Sequence, residues 1–124
     1  MNLNEYQRFT RSTATYNEDV VLNSADGHVH LPELYPALAL AEETGEVLGK
    51  YAKFVRKFGS DADSHGSLLA LKNGVIDELG DVLYNISEIA THLNIPLQQV
   101  LDRNVEKLTD RKARNVIVGE GDNR

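Results

Sequence analysis

Apolar positions recur at three- and four-residue steps in four stretches of this chain, and each stretch reads as a helix. In residues 3 to 13, Leu3, Tyr6 and Phe9 form a partial stripe, with Asn2 or Asn4 available as a cap. The second stretch starts between residues 33 and 37, where Pro32 and Pro36 suit a first turn, and runs to about Phe58 before Gly59. Leu40, Val47, Tyr51, Phe54 and Phe58 make one stripe on it. Ala37, Leu38, Ala41, Gly45, Leu48, Ala52 and Val55 widen the apolar sector until Glu42, Glu43 and Glu46 fill only a narrow arc. A helix apolar over more than half its circumference needs cover on several sides, which predicts self-association. The third stretch, Leu68 to Leu93, carries Leu71, Val75, Leu79, Val82, Leu83, Ile86, Ile89 and Leu93 on its apolar face. Gly74 costs that helix about 1 kcal/mol relative to Ala and is expected to fray its first turns. Asn94-Ile95-Pro96 closes it and opens the fourth, which runs to about Arg114 and is expected to bury Leu97, Leu101, Val105 and Leu108.

The remaining segments lack such a period. Residues 14 to 31 show no strand-like alternation, contain Asp26-Gly27 and end at Pro32, so they read as a loop, and a loop this long in a compact domain is often functional. Residues 59 to 67, GSDADSHGS, read as a polar turn, and a flexible tail is expected from about residue 115 to 124. The pattern predicts an all-α bundle of four to five helices, one domain over residues 1–124, oligomerising through its central second and third helices.

Composition narrows the chemistry. Hydrophobic residues make up 41% and charged residues 26%, and no apolar run approaches the ~20 residues needed to span a membrane. The start MNLNEYQRFTR has no apolar signal core. With no Cys, disulfides, thiolate metal sites and thiol catalysis drop out, which fits a cytoplasmic protein. A net charge of −6 argues against general nucleic-acid binding, whereas a small phosphorylated ligand needs only a local group of cations and metal.

Two acidic clusters stand out: Glu42, Glu43 and Glu46 in ALAEETGEVLGK, and Glu78 and Asp81 in VIDELGDVLY. Glu43 with Glu46, and Glu78 with Asp81, are i, i+3 pairs that point from one side of their helices. A single pair of this kind is usually a solvated face. Two pairs bordering broad apolar stripes on consecutive long helices favour convergence of four carboxylates. Anions ~4 Å apart repel by roughly 4 kcal/mol per pair at an effective dielectric near 20, so such a cluster calls for protons or metal. Hard oxygen donors suit Mg²⁺, with Mn²⁺ as a substitute.

Near the C-terminus Arg103, Lys107, Arg111 and Arg114 line one helix face and would suit a di- or triphosphate, although basic residues also favour a helix C-terminus through its dipole. Lys50 follows the first acidic run and either touches phosphate or pairs with Glu46 at i, i+4. His28, His30, His65 and His92 are read as surface residues. Glu88 with His92 is i, i+4 rather than the Glu-x-x-His of carboxylate-bridged di-iron bundles.

LALAEETGEVLGK, IDELGDVLYNISEIA and NVEKLTDRKARN, in that order, resemble the two metal-binding helices and basic C-terminal motif of the MazG-like all-α nucleoside triphosphate pyrophosphohydrolases. The likeness covers roughly residues 34 to 114, and EYQRFTRSTATY is similar to the first helix of short members, some of them phage-encoded. By this resemblance Glu43, Glu46, Glu78 and Asp81 are the magnesium ligands, and Glu42 is an outer ligand or the base for the attacking water. Lys107 and Arg111 would bind phosphates, and Asn85 and Asn104 would orient the phosphate or sugar. The implied reaction is hydrolysis of a (deoxy)nucleoside triphosphate, with dGTP or GTP among the candidates, to monophosphate and pyrophosphate by a dimer or tetramer. Related activities on dUTP, a damaged nucleotide or phosphoribosyl-ATP stay open, as does a non-catalytic helical module that only binds metal. Base selectivity is expected to rest on Tyr6, Gln7, Thr10, Tyr16 or the 14–32 loop.

Overall fold

The computed structural model describes residues 1–58 and 65–118. In chain order these form α1 (Leu3–Thr13), β1 (Val21–Ser24), β2 (Gly27–His30), α2 (Leu34–Phe58), α3 (His65–His92) and α4 (Leu97–Ala113). The fold is all-α apart from the hairpin. α2 and α3 pack along each other as the central pair, α1 lies on α3, and α4 leans on α1 and α3.

Local chemistry explains the boundaries. Asn2 caps α1 through a reciprocal box: its side chain accepts from the Glu5 amide at 2.9 Å, and the Glu5 carboxylate accepts from the Asn2 amide at 2.8 Å. Pro36, fully buried, sits in the first turn of α2, where its missing N–H has no consequence. α3 ends in a left-handed Asn94, φ 56°, and the Ile95 amide reaches back to the Ala90 carbonyl at 2.8 Å, the wrap that satisfies late helical carbonyls. Gln7 then locks the α3–α4 corner. Its amide donates to Thr91 Oγ1 (3.1 Å) and the Ile95 carbonyl (2.9 Å), and its oxygen accepts from the Leu97 amide (2.8 Å), standing in for the cap that Pro96 cannot provide. Gln7→Ala removes all three bonds and is expected to lower stability by about 2 kcal/mol, read as a lower midpoint in urea with an unchanged slope.

Three features depart from the sequence reading. Residues 14 to 31 are not wholly a loop: β1 and β2 pair antiparallel with Val21 opposite His30 and Ser24 opposite Gly27, around a two-residue turn at Ala25-Asp26. Gly27 holds φ 131°, a conformation that L side chains rarely adopt. α3 begins at His65, three residues before the expected start, so Gly74 does not break it and His65 is helical rather than in a turn. The rest of the expected polar turn, residues 59–64, and of the tail, residues 119–124, lie outside the described residues. Finally, of the positions expected to be buried on α4 only Leu97 is; Leu101, Val105 and Leu108 are exposed, as are Leu79, Leu83 and Leu93 on α3. Too few helices surround these faces within one chain to cover them.

The wheel of α2 splits accordingly. Leu40, Val47, Phe54 and Phe58 turn inward and are half-buried, while Leu38, Ala41, Gly45, Leu48, Ala52 and Val55 form a continuous solvent-facing stripe in which Leu48 is 65% exposed.

Candidate functional site

The central pair brings the two acidic runs together. Carboxylate oxygens of Glu43 and Glu46 on α2 and Glu78 on α3 all lie within 4.8 Å of one another. Glu78 is buried, Glu43 half-buried and Glu46 exposed, so the group sits at the rim of the helix interface, with one side open to a ligand. Asp81 falls outside that radius yet is the charged group that acts most strongly on Glu43. Glu42 is exposed and exerts the weakest of the four carboxylate influences on Glu43. Three of the four expected ligands thus converge within one chain, with the fourth beside them.

Burial, reinforced by Asp81, Glu46, Glu78 and Glu42 in that order, holds the Glu43 carboxyl above the ordinary carboxylate range. A raised carboxylate is a penalty on the folded state that is present at neutral pH and relieved as pH falls through the raised pKa toward 4.5. In chelator, Glu43→Gln is therefore expected to melt higher than the parent chain at pH 7, with the gap closing as pH falls toward 4.5. A gap that stays constant across that range would show that Glu43 is not under this strain.

Lys50 occupies the same place. Its ammonium lies 2.7 Å from Glu78 Oε1, and its stem crosses α3 at Gly74, where a Cβ would come within 3.3 Å of the Lys50 Cδ. The pair with Glu78 replaces the expected one with Glu46 and favours the charged ammonium.

The other expected substrate residues are spread more widely. Asn85, 4% exposed, lies one turn beyond Asp81 on α3 and donates to the Asp81 carbonyl at 3.0 Å. Asn104 and Lys107 line a separate recess of about 800 Å³ with Arg103, Gln99 and Glu106 on the outer face of α4. Arg111 is not a free surface cation: it is only 6% exposed. Among the described residues α4 makes no contact with α2, so within one chain the basic face does not meet the acidic cluster.

A second polar group, not anticipated as a site, lies further along α3. Glu88 is fully buried, with Oε2 accepting from the Tyr16 hydroxyl at 2.8 Å and facing Arg11 Nη1 at 3.4 Å. The Tyr16 hydroxyl also lies 2.7 Å from His92 Nε2, so His92 is partly buried and engaged rather than a bare surface residue. His28 and His30, on the exposed hairpin, do match the surface reading. Arg11 also pairs with Glu18, and the Tyr16 ring stacks on Tyr35 with centroids 5.1 Å apart and planes 19° from parallel. Burial and the bond to Glu88 push the Tyr16 phenol well above its usual range. The signal was present in the sequence as Glu78, Asp81, Asn85, Glu88 and His92, a polar stripe at alternating three- and four-residue steps down one face of α3. Of the residues expected to select the base, Thr10 is instead buried and bonded to Ser87 Oγ at 2.8 Å, and Gln7 braces the corner.

These two carboxylate-bearing helices, with the basic helix that follows them, place the chain in a known class: residues 34–116 match the MazG nucleotide pyrophosphohydrolase domain, and the chain belongs to that family. It is also 33% identical over 125 aligned positions, covering the whole of both chains, to the Gene 37 protein of Mycobacterium phage L5. No solved structure matches the chain. Among the described residues no helix is long and apolar enough to cross a membrane.

Proposed function

We propose that this chain hydrolyses a (deoxy)nucleoside triphosphate to its monophosphate and pyrophosphate in the presence of Mg²⁺, with Mn²⁺ able to substitute. The observation that carries this reading is the meeting of Glu43, Glu46 and Glu78 within 4.8 Å in a chain of the MazG family. The donor set fits the metal: all-oxygen, multiply anionic and open on one side, as a hard cation that keeps its own waters requires. Glu43, Glu46, Glu78 and Asp81 would hold it. When bound, Mg²⁺ supplies Lewis acidity toward phosphate oxygens and offsets their charge.

The chain's own residues supply the rest. Glu42, exposed and beside the cluster, takes the proton of the attacking water, and the bridging P–O bond breaks with its electron pair on the departing group. Lys50 leaves Glu78 and turns its ammonium to the phosphates. Asn85 orients the phosphate or sugar from one turn along α3. Asn104, Lys107 and Arg111 reach substrate from α4, and their separation from the acidic cluster within one chain favours a homodimer or homotetramer in which a neighbouring copy brings them in. The exposed stripe of α2 is the surface proposed for that association. A single catalytic domain working in the cytoplasm follows from the same reading.

Incubating the purified chain with each of the eight common (d)NTPs and Mg²⁺, and measuring pyrophosphate, tests the proposal. Pyrophosphate from at least one of them is the expected result. Turnover confined to dUTP, a damaged nucleotide or phosphoribosyl-ATP would move the assignment within the superfamily. Metal binding with no turnover of any of these would leave a non-catalytic module.

A further inference from the structure

Glu88 is a buried carboxyl that the proposed reaction does not use. Its side chain is 0% exposed, and among the described residues Oε1 has no hydrogen-bond partner. A buried acceptor left unpaired has lost its water without gaining a partner, so such an atom calls for a donor.

The group around it has a defined donor and acceptor order. An ionised carboxylate only accepts, so the single Tyr16 proton goes to Glu88 Oε2. The phenol oxygen is then left to accept, which puts the His92 proton on Nε2. Along this edge, Tyr16 presents an acceptor to His92, a donor to Glu88 Oε2, and nothing to Oε1. Its ring, meanwhile, is stacked flat on Tyr35, which is half-exposed. A planar ring on an aromatic face, with its edge read by a carboxylate and an imidazole, is how proteins hold a nucleobase.

Guanine completes the pattern. Its O6 accepts, its N1–H donates, and its 2-amino group donates beside it, in the order His92, Oε2, Oε1. The location also suits a nucleotide whose phosphates sit at the acidic cluster. Glu88 is seven residues beyond Asp81 on the same face of α3, about 10 Å along the axis, comparable to the separation between the α-phosphate and the far edge of the base. Burial, together with the charges of Asp81 and Glu88, holds the Tyr6 phenol above its usual range, so Tyr6 lies near this interval.

We propose that Tyr16 holds the place of the base, and that on binding a guanine nucleotide it swings out while guanine stacks on Tyr35, donates N1–H and its amino group to Glu88, and accepts at O6 from His92. This rests on the nucleotide reading above and deepens it by naming the base. Tyr16 is half-exposed and lies in a segment outside any helix or strand, so it can leave by side-chain rotation. Arg11 stays beside Glu88 and keeps its charge compensated. The same geometry rejects the other bases: adenine and cytosine turn a ring-nitrogen lone pair to the carboxylate, and uracil or thymine turns a second carbonyl to Oε1. Hypoxanthine keeps O6 and N1–H and lacks only the amino group, so it isolates the contribution of Oε1.

Calorimetric titration of dGMP, dIMP, dAMP, dCMP and TMP in Mg²⁺ tests this without relying on turnover. The parent chain should bind dGMP about 10-fold more tightly than dIMP, and dIMP more tightly than the rest. Glu88→Gln should weaken dGMP by about 10-fold or more and flatten the preference. Tyr16→Phe, which unties the occupant from Glu88 and His92, should tighten dGMP several-fold, because a larger share of molecules is open. Opposite signs for these two variants separate base recognition from a merely structural cluster, in which both would weaken binding together. Should Glu88→Gln fail to fold, the dGMP to dIMP ratio of the parent chain and the sign of Tyr16→Phe decide. Equal affinity for all five monophosphates, no binding of any, or an unchanged preference in Glu88→Gln would overturn the proposal. A guanine preference in this titration with no pyrophosphate from any triphosphate would uphold it while removing the hydrolytic reading.

Discussion

Glu46→Gln is expected to lower pyrophosphate release on the order of 1,000-fold, equivalent to about 4 kcal/mol of transition-state stabilisation. Glu46 is the most exposed of the three converging carboxylates, so the substitution leaves the α2–α3 interface intact and the loss should appear without unfolding. Gln keeps the shape and one oxygen but removes the charge that a hard divalent cation needs. The accompanying signature is a reduced rise in melting temperature on adding Mg²⁺, since a ligand that binds the folded chain stabilises it by an amount set by its affinity. Undiminished activity in Glu46→Gln would remove the acidic cluster from the chemistry. Equal loss of activity and of the unliganded melting temperature would make Glu46 a structural residue instead.

Leu48→Asp should have the second large effect, on assembly. Leu38, Ala41, Gly45, Leu48, Ala52 and Val55 form a seam of small and aliphatic side chains on α2, and Leu69, Ile76, Leu79 and Leu83 on α3 are exposed as well. Soluble monomers rarely leave so long an apolar strip in water, and Gly45, with nothing within 4 Å of where a Cβ would stand, leaves room for a close helix approach. An unpaired carboxylate in the middle of such a seam costs a few kcal/mol, so the variant should self-associate at least about 100-fold more weakly. Sedimentation velocity across a concentration series reads this directly. A parent chain that sediments as a monomer at every concentration would reject the seam as an interface. If assembly also brings the basic helix of one copy to the acidic cluster of another, dissociation lowers activity without touching a carboxylate.

How much of this was legible in the residues depends on how far each feature reaches along the chain. α1, α2 and α4 ended where caps, prolines and loss of period said they would, because those signals act within a turn or two of the boundary. The hairpin was missed because its strands are four residues long and exposed on both faces, so no inside-outside alternation marks them. Convergence of Glu43, Glu46 and Glu78 could be inferred because spacing on two adjacent helices nearly determines it. The partner of Lys50 could not: nothing in the sequence shows that Gly74 opens a path across α3 to Glu78. Glu88 and His92 were discounted for the same reason, since Tyr16 is more than 70 residues away in the chain and its contact with them exists only after folding. The buried Arg111 belongs with these, since a helical stripe of cations says nothing about which of them the rest of the fold will cover.

Lys50 already holds a positive charge against Glu78, 2.7 Å away. Under the proposed reading, a divalent ion held by Glu78 would therefore be exchanged for this ammonium rather than added to the cluster. Lys50 is tethered to α2, so the displaced charge would stay within a side chain's reach of the carboxylates. Loading one cation would arm another.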